Sequence, residues 1–338
     1  MFKKQTINGL FLVLVLFLLI GITGRESWAQ KSTTGETSKP MVLKIAQPGK
    51  SGIHLDIVLK KFGELVEHKT GGKVKVEVYA QTLGGGKDLV EQTALGTIQM
   101  YADGYTGEQL YNLLFLPYLF RDWNHMKTVL LGPVGQKWSD KWVANKGIRA
   151  VGYFQRLPRQ LTTKKRPVVK PDDLKGLKIR IPDWKVAIRT WEILGAKPTP
   201  MAWPEVFSAL QSGVIEAQDN PVDLVYDERL YEVQKYMIII DYMQNVYYVG
   251  ANNKWYTGLP ADIRKAIDEA LRESEIFNDK LLAQNRAGYL KKLQEKGMTV
   301  INADEKAFRS KLKDLYKEFI PDMDKMWGPG VYEQIKKS

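Results

Sequence analysis

Cysteine is absent from all 338 residues of the chain, and histidine occurs at only three positions. The absence of cysteine excludes disulfide bonds, thiolate catalysis and cysteine-based zinc sites. His54, His68 and His125 lie far apart in the sequence and lack the short spacing of metal ligands. Because no Ser-His-Asp set or paired-carboxylate signature accompanies them, we expect no catalytic residue, no metal and no cofactor.

Long apolar segments are also scarce, and the longest covers residues 10–22. It is shorter than the about 18 apolar residues of a membrane span. Two lysines precede it, and the small residues Ser27 and Ala29 follow at the positions that a signal peptidase reads. We therefore predict a signal peptide over residues 1–29 and a periplasmic protein, with an uncleaved N-terminal anchor as the alternative. Residues 30–40 are polar and patternless, and we expect a disordered lead-in.

Acidic residues are fewer than basic ones. The chain has 38 Asp and Glu and 50 Lys and Arg, which gives a formal net charge of +12. A positive balance suits an anionic ligand or an anionic surface. Nucleic acid is the obvious rival, but the cations are spread through predicted helices with acidic residues beside them. No nucleic-acid-binding motif is present either. We therefore expect no nucleic-acid partner, which leaves an anionic ligand or an anionic surface.

Hydrophobic periodicity alternates between strand and helix along the chain. Residues 41–48 and 74–79 have strand patterns, and residues 54–70 between them repeat apolar side chains at helical spacing. This order predicts a parallel strand pair with a right-handed crossover. Residues 260–297 are expected to be helical for most of their length. The chain is therefore predicted to be α/β, and the about 300 residues after the leader are too many for one small core.

A glycine-rich turn covers residues 84–86 and is followed by Lys87. It invites comparison with the phosphate-binding loop of nucleotide-binding proteins. Asp88, however, stands where that loop needs Ser or Thr. We predict instead a tight turn that leads from a strand into a helix.

A short predicted strand alternates Lys178 and Arg180 with two isoleucines and ends at Pro182. The alternation places the isoleucines on one face and the cations on the other. Arg180 lies at the C-terminal end of the strand, which is where small ligands bind in open α/β sheets. Its guanidinium is suited to a bidentate contact with a carboxylate. The alternative is an Arg at a sheet edge that is paired with a neighbouring Asp or Glu.

Several short motifs follow one another along nearly all of the chain after Met41. In order and spacing, the set resembles the DctP-type periplasmic solute-binding proteins of TRAP (tripartite ATP-independent periplasmic) transporters. The motifs lie at residues 83–88, 159–162, 173–182, 194–203, 205–213, 218–221 and 231–236.

The resemblance implies a two-lobe periplasmic-binding-protein-like fold, with a ligand cleft between the lobes and a long helix that braces both. Lobe I would contain residues 41–157 and about 246–286, and lobe II residues 158–245 and about 287–338. The implied function is that of an extracytoplasmic solute receptor. It would bind a small organic acid, C4-dicarboxylate-like or a related carboxylate, and deliver it to a TRAP permease. We expect it to be a monomer.

The resemblance also implies which residues form the site. Arg180 matches the family's carboxylate-binding Arg, Arg159 matches a second Arg, and Asn220 matches the Asn of its Gln-Glu-Asn-Pro turn. Asp88 is the candidate contact from lobe I, where many members carry a charged pair that ends in Glu. Aromatic side chains are expected to cover the carbon skeleton of the ligand, with ordinary core packing as the alternative for each. The aromatic candidates are Trp184, Trp203, Tyr226, Tyr247 and Tyr248.

Two other functions are compatible with these residues. A ligand-sensing adaptor that presents a bound carboxylate to a membrane sensor would have the same fold and site. A secreted α/β enzyme is the less favoured alternative, since the three scattered histidines leave few general bases. We expect a receptor and not an enzyme.

Overall fold

The computed structural model describes residues 39–338, in which strands and helices alternate along the chain. The strands predicted at residues 41–48 and 74–79 are present, each with its C-terminal end shifted by one residue. The strands in chain order are β1 (Met41–Gln47), β2 (Val74–Ala80), β3 (Met100–Asp103), β4 (Ile148–Arg156), β5 (Gln160–Thr163), β6 (Lys178–Ile181), β7 (Lys197–Pro200), β8 (Ala217–Asn220), β9 (Tyr236–Ile239), β10 (Asn245–Asn252) and β11 (Thr299–Asn302).

Helices connect most of these strands, and a short 3-10 helix spans Gln109–Phe115. The α-helices in chain order are α1 (His54–Lys69), α2 (Gly86–Leu95), α3 (Trp123–Leu131), α4 (Pro133–Lys146), α5 (Lys185–Ile193), α6 (Val206–Ser212), α7 (Val222–Asp227), α8 (Asn253–Thr257), α9 (Ala261–Glu295), α10 (Glu305–Leu312), α11 (Leu315–Trp327) and α12 (Val331–Lys337).

The first sheet has the strand order β2-β1-β3-β10-β4. β1 pairs in parallel with β2, which confirms the predicted parallel pair, and it also pairs in parallel with β3. β10 comes from much later in the chain and lies antiparallel between β3 and β4. In chain order, five of the six strands of the second sheet therefore precede β10, with which the chain returns to the first sheet.

The second sheet has the strand order β11-β9-β5-β8-β6-β7. β6 carries Arg180 and lies between β7 and β8, with Arg180 opposite Thr199 on one side and Gln218 on the other. Arg180 is therefore inside the sheet, and the alternative of a sheet-edge Arg is wrong.

The long helix α9 connects elements of both sheets. It has 35 residues, which is about 52 Å at about 1.5 Å per residue. It packs against α1 and β4 on one side and against α7 and β11 on the other. Its buried positions include Ile263, Ile267, Leu271 and Leu282. The predicted bracing helix is thus confirmed.

Some short elements were not predicted from the sequence. β5, β7 and β11 have four residues each. β6 is as short but alternates cations with isoleucines, whereas β5, β7 and β11 lack such a clear alternation of charged and apolar side chains. β7 also contains Pro198 and Pro200 and lies at the edge of its sheet, which is the position where proline is tolerated.

The division into lobes stays a prediction. The strands of each sheet come from the segments assigned to one lobe, except that β10 begins one residue earlier, at Asn245. Helix α11, assigned to lobe II, packs against α4 of the other segment. The predicted signal peptide and most of the lead-in lie outside the described residues. Within 39–338, no helix is both long enough and apolar enough to cross a membrane.

Gly250 in β10 should be a sensitive position of the first sheet. A Cβ there would lie 2.6 Å from Cε1 of Tyr101 and 2.9 Å from the Trp142 ring. Because both rings are fully buried, we predict that Gly250→Ala lowers the free energy of unfolding by about 1–3 kcal/mol, measured by urea denaturation. Gly152→Ala in β4 is the matched control, since its Cβ would lie at an ordinary 3.6 Å from its neighbours. Equal losses in both variants would contradict the prediction.

Candidate ligand-binding site

A cavity of about 480 Å³ lies where strand ends of the two sheets meet. The first sheet contributes Asp103 at the end of β3 and Arg156 at the end of β4, and the second contributes Arg180 and Asn220. The volume falls within the range of about 300–1,000 Å³ that is typical of small-molecule pockets. Seven of the residues predicted for the site line this cavity: Arg159, Arg180, Asn220, Trp184, Trp203, Tyr247 and Asp88.

Two of the aromatic candidates do not line the cavity. Tyr248 is 1% exposed and packs edge-on against Phe115 and Trp138. Tyr226 packs against Tyr289 in a separate apolar cluster. Ordinary core packing is therefore the correct interpretation for this pair.

Arg180 is a buried cation that faces the cavity without a carboxylate partner. Its Nε and Nη2 donate to the carbonyl oxygen of Met201, at 3.0 and 2.7 Å, and its guanidinium lies 5.5 Å from the Trp203 ring centroid. Among the described residues no Asp or Glu oxygen comes within 4.0 Å of it. Burial and the neighbouring Arg159 lower the pKa of Arg180 to about 9, so the group is charged at neutral pH.

Arg159 is also buried, but its charge is compensated by Asp219. Nε of Arg159 donates to Oδ2 of Asp219 at 2.6 Å, and Nη2 donates to Oδ1 at 3.0 Å. The hydroxyl of Tyr242 donates to the same carboxylate. Burial opposes ionisation of Asp219, but Arg159 outweighs burial and lowers the pKa of Asp219. On its other side, the Arg159 guanidinium lies 5.6 Å from the Trp184 ring centroid.

Arg156 is a third cation at the cavity, which the sequence analysis did not single out. It is 6% exposed and stacks at 4.2 Å on the ring of Tyr247. Its Nη2 donates to Oδ1 of Asn220 at 3.4 Å, and the amide of Asn220 donates to Oε1 of Gln218 at 2.7 Å. The sequence could have indicated Arg156, because it lies at the C-terminal end of a strand, as Arg180 does.

Asp103 brings negative charge to the cavity and was likewise missed. Burial raises its pKa to about 6, although Arg156 and the backbone amide of Gly104 oppose this. The glycine-rich turn lies close to it, because a Cβ on Gly86 would come within 2.3 Å of Oδ2 of Asp103. Only glycine therefore allows the start of α2 to approach this carboxylate.

The predicted tight turn before α2 is confirmed, and it explains the position of Asp88. Gly84 has a φ of +95°, a value that favours glycine. The backbone amide of Gly85 donates to Oδ2 of Asp88 at 2.8 Å. Asp88 lines the cavity, but one of its carboxylate oxygens is used to cap the first turn of the helix.

A small group of contacts beside the cavity joins the loop after β1 to the end of α7. Nζ of Lys50 lies 3.0 Å from Oε2 of Glu228, and Oε1 of Glu228 accepts from Nε1 of Trp203 at 3.4 Å. Oδ2 of Asp227 accepts from the backbone amide of His54 at 3.1 Å. These contacts link elements of the two sheets. In the part of the chain that the structure describes, no group of three His, Asp or Glu side chains is arranged to hold a metal ion.

The sequence profile of the bacterial extracellular solute-binding proteins, family 7 (DctP), matches residues 47–322. The chain belongs to this family. The resemblance drawn from the motifs is thereby confirmed, and the family consists of solute-binding proteins rather than enzymes.

Relatives from several bacteria match most of this family 7 chain. Solute-binding protein RD1_1052 of Roseobacter denitrificans is 32% identical over 301 residues, which cover 87% of this chain and 91% of that protein. The C4-dicarboxylate-binding periplasmic protein DctP of Rhodobacter capsulatus is 33% identical over 256 residues, with 73% and 76% covered.

Solved structures of family 7 proteins share the fold. The RD1_1052 crystal structure with bound L-galactonate has a TM-score of 0.78 and 31% identity, and the match covers 85% of this chain and 99% of that one. A TRAP periplasmic solute binding protein from Ochrobacterium anthropi with bound L-fuconate has a TM-score of 0.81 and 30% identity, with 88% and 99% covered. The predicted two-lobe solute-binding-protein fold is confirmed.

Arg159 and Arg180 should differ in their effect on the stability of the ligand-free protein. Arg159→Met leaves Asp219 buried and unpaired, and we predict a loss of about 3–5 kcal/mol in the free energy of unfolding. Arg180→Met removes a buried cation that has no carboxylate partner, so we expect a neutral or stabilising effect. Urea denaturation of the ligand-free proteins measures both. A loss in Arg180→Met as large as that in Arg159→Met would contradict this assignment of charges.

Asp227 should make the protein less stable as the pH rises. Burial raises its pKa to about 7, with Asp223 and Glu228 adding to the shift and the His54 amide opposing it. The folded state therefore binds more protons than the unfolded state, whose Asp pKa is about 3.9. The free energy of unfolding should fall between about pH 4 and pH 7, and level off above.

Asp227→Asn tests this pH dependence. We expect its urea midpoint to fall less than that of the wild type between pH 4.5 and pH 8. Asp103, with a pKa raised to about 6, also lowers the free energy of unfolding as the pH rises, and it does so in every variant. The test is therefore the difference between the urea midpoints of the variant and the wild type at each pH. Asp262→Asn, at a side chain 69% exposed, is the control and should follow the wild type. Parallel curves for Asp227→Asn and wild type would refute the shift.

Proposed function

We propose that the protein is an extracytoplasmic solute receptor that binds a small hydroxylated carboxylate and releases it unchanged to a membrane permease. The observation that carries this proposal is the Arg180 guanidinium, which is buried at the cavity and has no carboxylate partner among the described residues. A buried cation without a counter-charge is costly. A bound carboxylate removes that cost, and so the site is built to favour the occupied state.

The geometry of Arg180 leaves the ligand-binding edge of its guanidinium available. Its Nε and Nη2 both donate to the Met201 carbonyl oxygen, and no hydrogen bond from its Nη1 occurs within 39–338. A guanidinium has five N–H donors. The Nη1 and Nη2 protons that remain can therefore form a bidentate pair with the two oxygens of a carboxylate.

The rest of the cavity favours a sugar acid over a C4-dicarboxylate. Asp103 and the Asn220 side chain can accept hydrogen bonds from hydroxyl groups, whereas an ionised Asp103 would repel a second carboxylate. Family 7 proteins that are similar to this chain were solved with L-galactonate and L-fuconate bound. The relative from Rhodobacter capsulatus, in contrast, is a C4-dicarboxylate-binding protein. We therefore infer an aldonate-like ligand of about six carbons, a size that suits a pocket of about 480 Å³.

The location and partner follow from the family. We infer that the mature protein is periplasmic, since the relatives include periplasmic binding proteins, and that it delivers the ligand to TRAP permease subunits. We also infer that it acts as a monomer, because a single chain supplies charged, polar and aromatic groups on both sides of the cavity. Catalysis is not part of the proposal, so the ligand should leave chemically unchanged.

Binding of L-galactonate to the purified protein, measured by calorimetry, tests the proposal. Removal of one partner of a buried charged pair costs about 2–5 kcal/mol, so Arg180→Ala should weaken binding by roughly 30-fold to a few thousand-fold. Arg180→Lys should recover only part of the loss, because an ammonium cannot form the bidentate contact. Mass spectrometry should recover intact L-galactonate.

Arg272→Ala is the matched control, since Arg272 is an exposed residue of α9 away from the cavity. It should bind L-galactonate like the wild type. Succinate, titrated in parallel, should bind at least tenfold more weakly than the sugar acid. A folded Arg180→Ala variant with undiminished affinity for every acid tested would refute the proposed function, and tighter binding of succinate would refute the sugar-acid assignment alone.

A further inference from the structure

A second cavity, of about 220 Å³, lies between the loop after the 3-10 helix and the C-terminal helices α10, α11 and α12. The described residues that line it do not line the first cavity. It has room for about seven water molecules at about 30 Å³ each, which is enough for a small organic molecule.

Three cations line this second cavity, and two of them have no acidic partner. Nε of Arg309 lies 2.7 Å from Oε1 of Glu305. Nζ of Lys336 donates to the Tyr118 carbonyl oxygen at 3.4 Å. Among residues 39–338, neither Lys313 nor Lys336 has a carboxylate oxygen within 4.0 Å. The cavity therefore carries a net positive charge.

The environment of Lys336 shows that this charge is not compensated locally. Burial, together with the neighbouring Arg121 and Arg309, lowers the pKa of Lys336, although Glu333 opposes the shift. A bound anion would counter the repulsion among these cations.

The remaining surface of the cavity is apolar and aromatic. The rings of Tyr316 and Tyr332 are stacked, with centroids 4.4 Å apart and planes 6° apart. Such surfaces suit the carbon skeleton of a ligand and not an inorganic ion. The buried apolar side chains that complete it are Leu116, Leu119, Leu312 and Leu315.

Tyr118, which lines this cavity, has an unusual backbone conformation. Its φ of +57° is rare for a bulky residue, and its amide donates to the Tyr242 carbonyl oxygen at 2.8 Å. The Arg309 guanidinium lies 3.9 Å from its ring centroid. Its hydroxyl oxygen is buried and has no hydrogen-bond partner among the described residues. This oxygen is therefore not accessible from the cavity, and Tyr118 contributes to the site through its backbone carbonyl oxygen, which accepts from Nζ of Lys336.

We propose that the second cavity is a separate binding site for a small organic anion, with one carboxylate and a compact aromatic or apolar body. Lys313 and Lys336 bind the carboxylate. The leucines and the stacked tyrosines contact the body. This site is independent of the one that contains Arg180, so either can be lost while the other remains.

Benzoate is the probe that tests this site, in a ligand-observed NMR titration of the purified protein. The titration uses the Arg180→Ala background, which weakens carboxylate binding at the first cavity. We expect benzoate to bind there, and to bind at least tenfold more weakly when Lys313→Gln and Lys336→Gln are added, because charge-assisted hydrogen bonds are lost. Lys313 is exposed, so Lys313→Gln alone, expected to weaken binding at least threefold, serves if the double change unfolds the protein.

Three controls distinguish this site from general attraction to a basic protein. Lys311→Gln, at an exposed lysine of α10 two residues before Lys313, should leave benzoate affinity within twofold of its background. Benzamide, the neutral analogue, should bind at least tenfold more weakly than benzoate. Benzoate affinity that is unchanged by the lysine substitutions, or that disappears with Arg180→Ala alone, would overturn the proposal. Inorganic phosphate that binds as tightly as benzoate would overturn the assignment to an organic anion.

Discussion

The buried ion pair between Arg159 and Asp219 is the contact on which the cavity depends. Arg159 directly precedes β5, Asp219 lies in β8, and Tyr242, which donates to the same carboxylate, precedes β10. A pair in the interior is stable only when both charges are present and well hydrogen-bonded. It therefore sets the relative positions of three segments that meet at the cavity, including the strand through which the chain returns to the first sheet.

The same pair leaves the two arginines with different roles. Asp219 neutralises Arg159, whereas the hydrogen bonds of the Arg180 side chain within residues 39–338 all go to the Met201 carbonyl oxygen. Besides the paired Arg159, the charged side chains that line the cavity are Arg156, Arg180, Lys87, Asp88, Asp103 and Asp183. Among the described residues, Arg180 is a buried cation of this set without a carboxylate oxygen within 4.0 Å, and Asp103 lies at the strand end of the first sheet. A ligand with one carboxylate and several hydroxyl groups complements this distribution. The guanidinium group of Arg180 lies over the ring of Trp203, and that of Arg156 lies over the ring of Tyr247.

Aromatic residues near the site show where sequence reasoning reaches its limit. Tyr247 and Tyr248 are neighbours in β10, yet Tyr247 lines the cavity and Tyr248 packs in the core. Successive side chains of a strand point to opposite faces. Deciding which face meets the cavity required the second sheet, which the sequence pattern of β10 does not reveal.

Periodicity and motif order were enough to determine the α/β class, the long helix, the parallel pair of β1 and β2, and the placement of Arg180 at a strand end, because each depends on local sequence. Tertiary structure alone decided which cations keep their charge uncompensated. Asp219 lies 60 positions from Arg159. Arg156 and Asp103 end their strands, but the sequence does not show which charges lie opposite them across the cavity. Pairing of charges depends on distances between segments, and those distances exist only once the two sheets have come together.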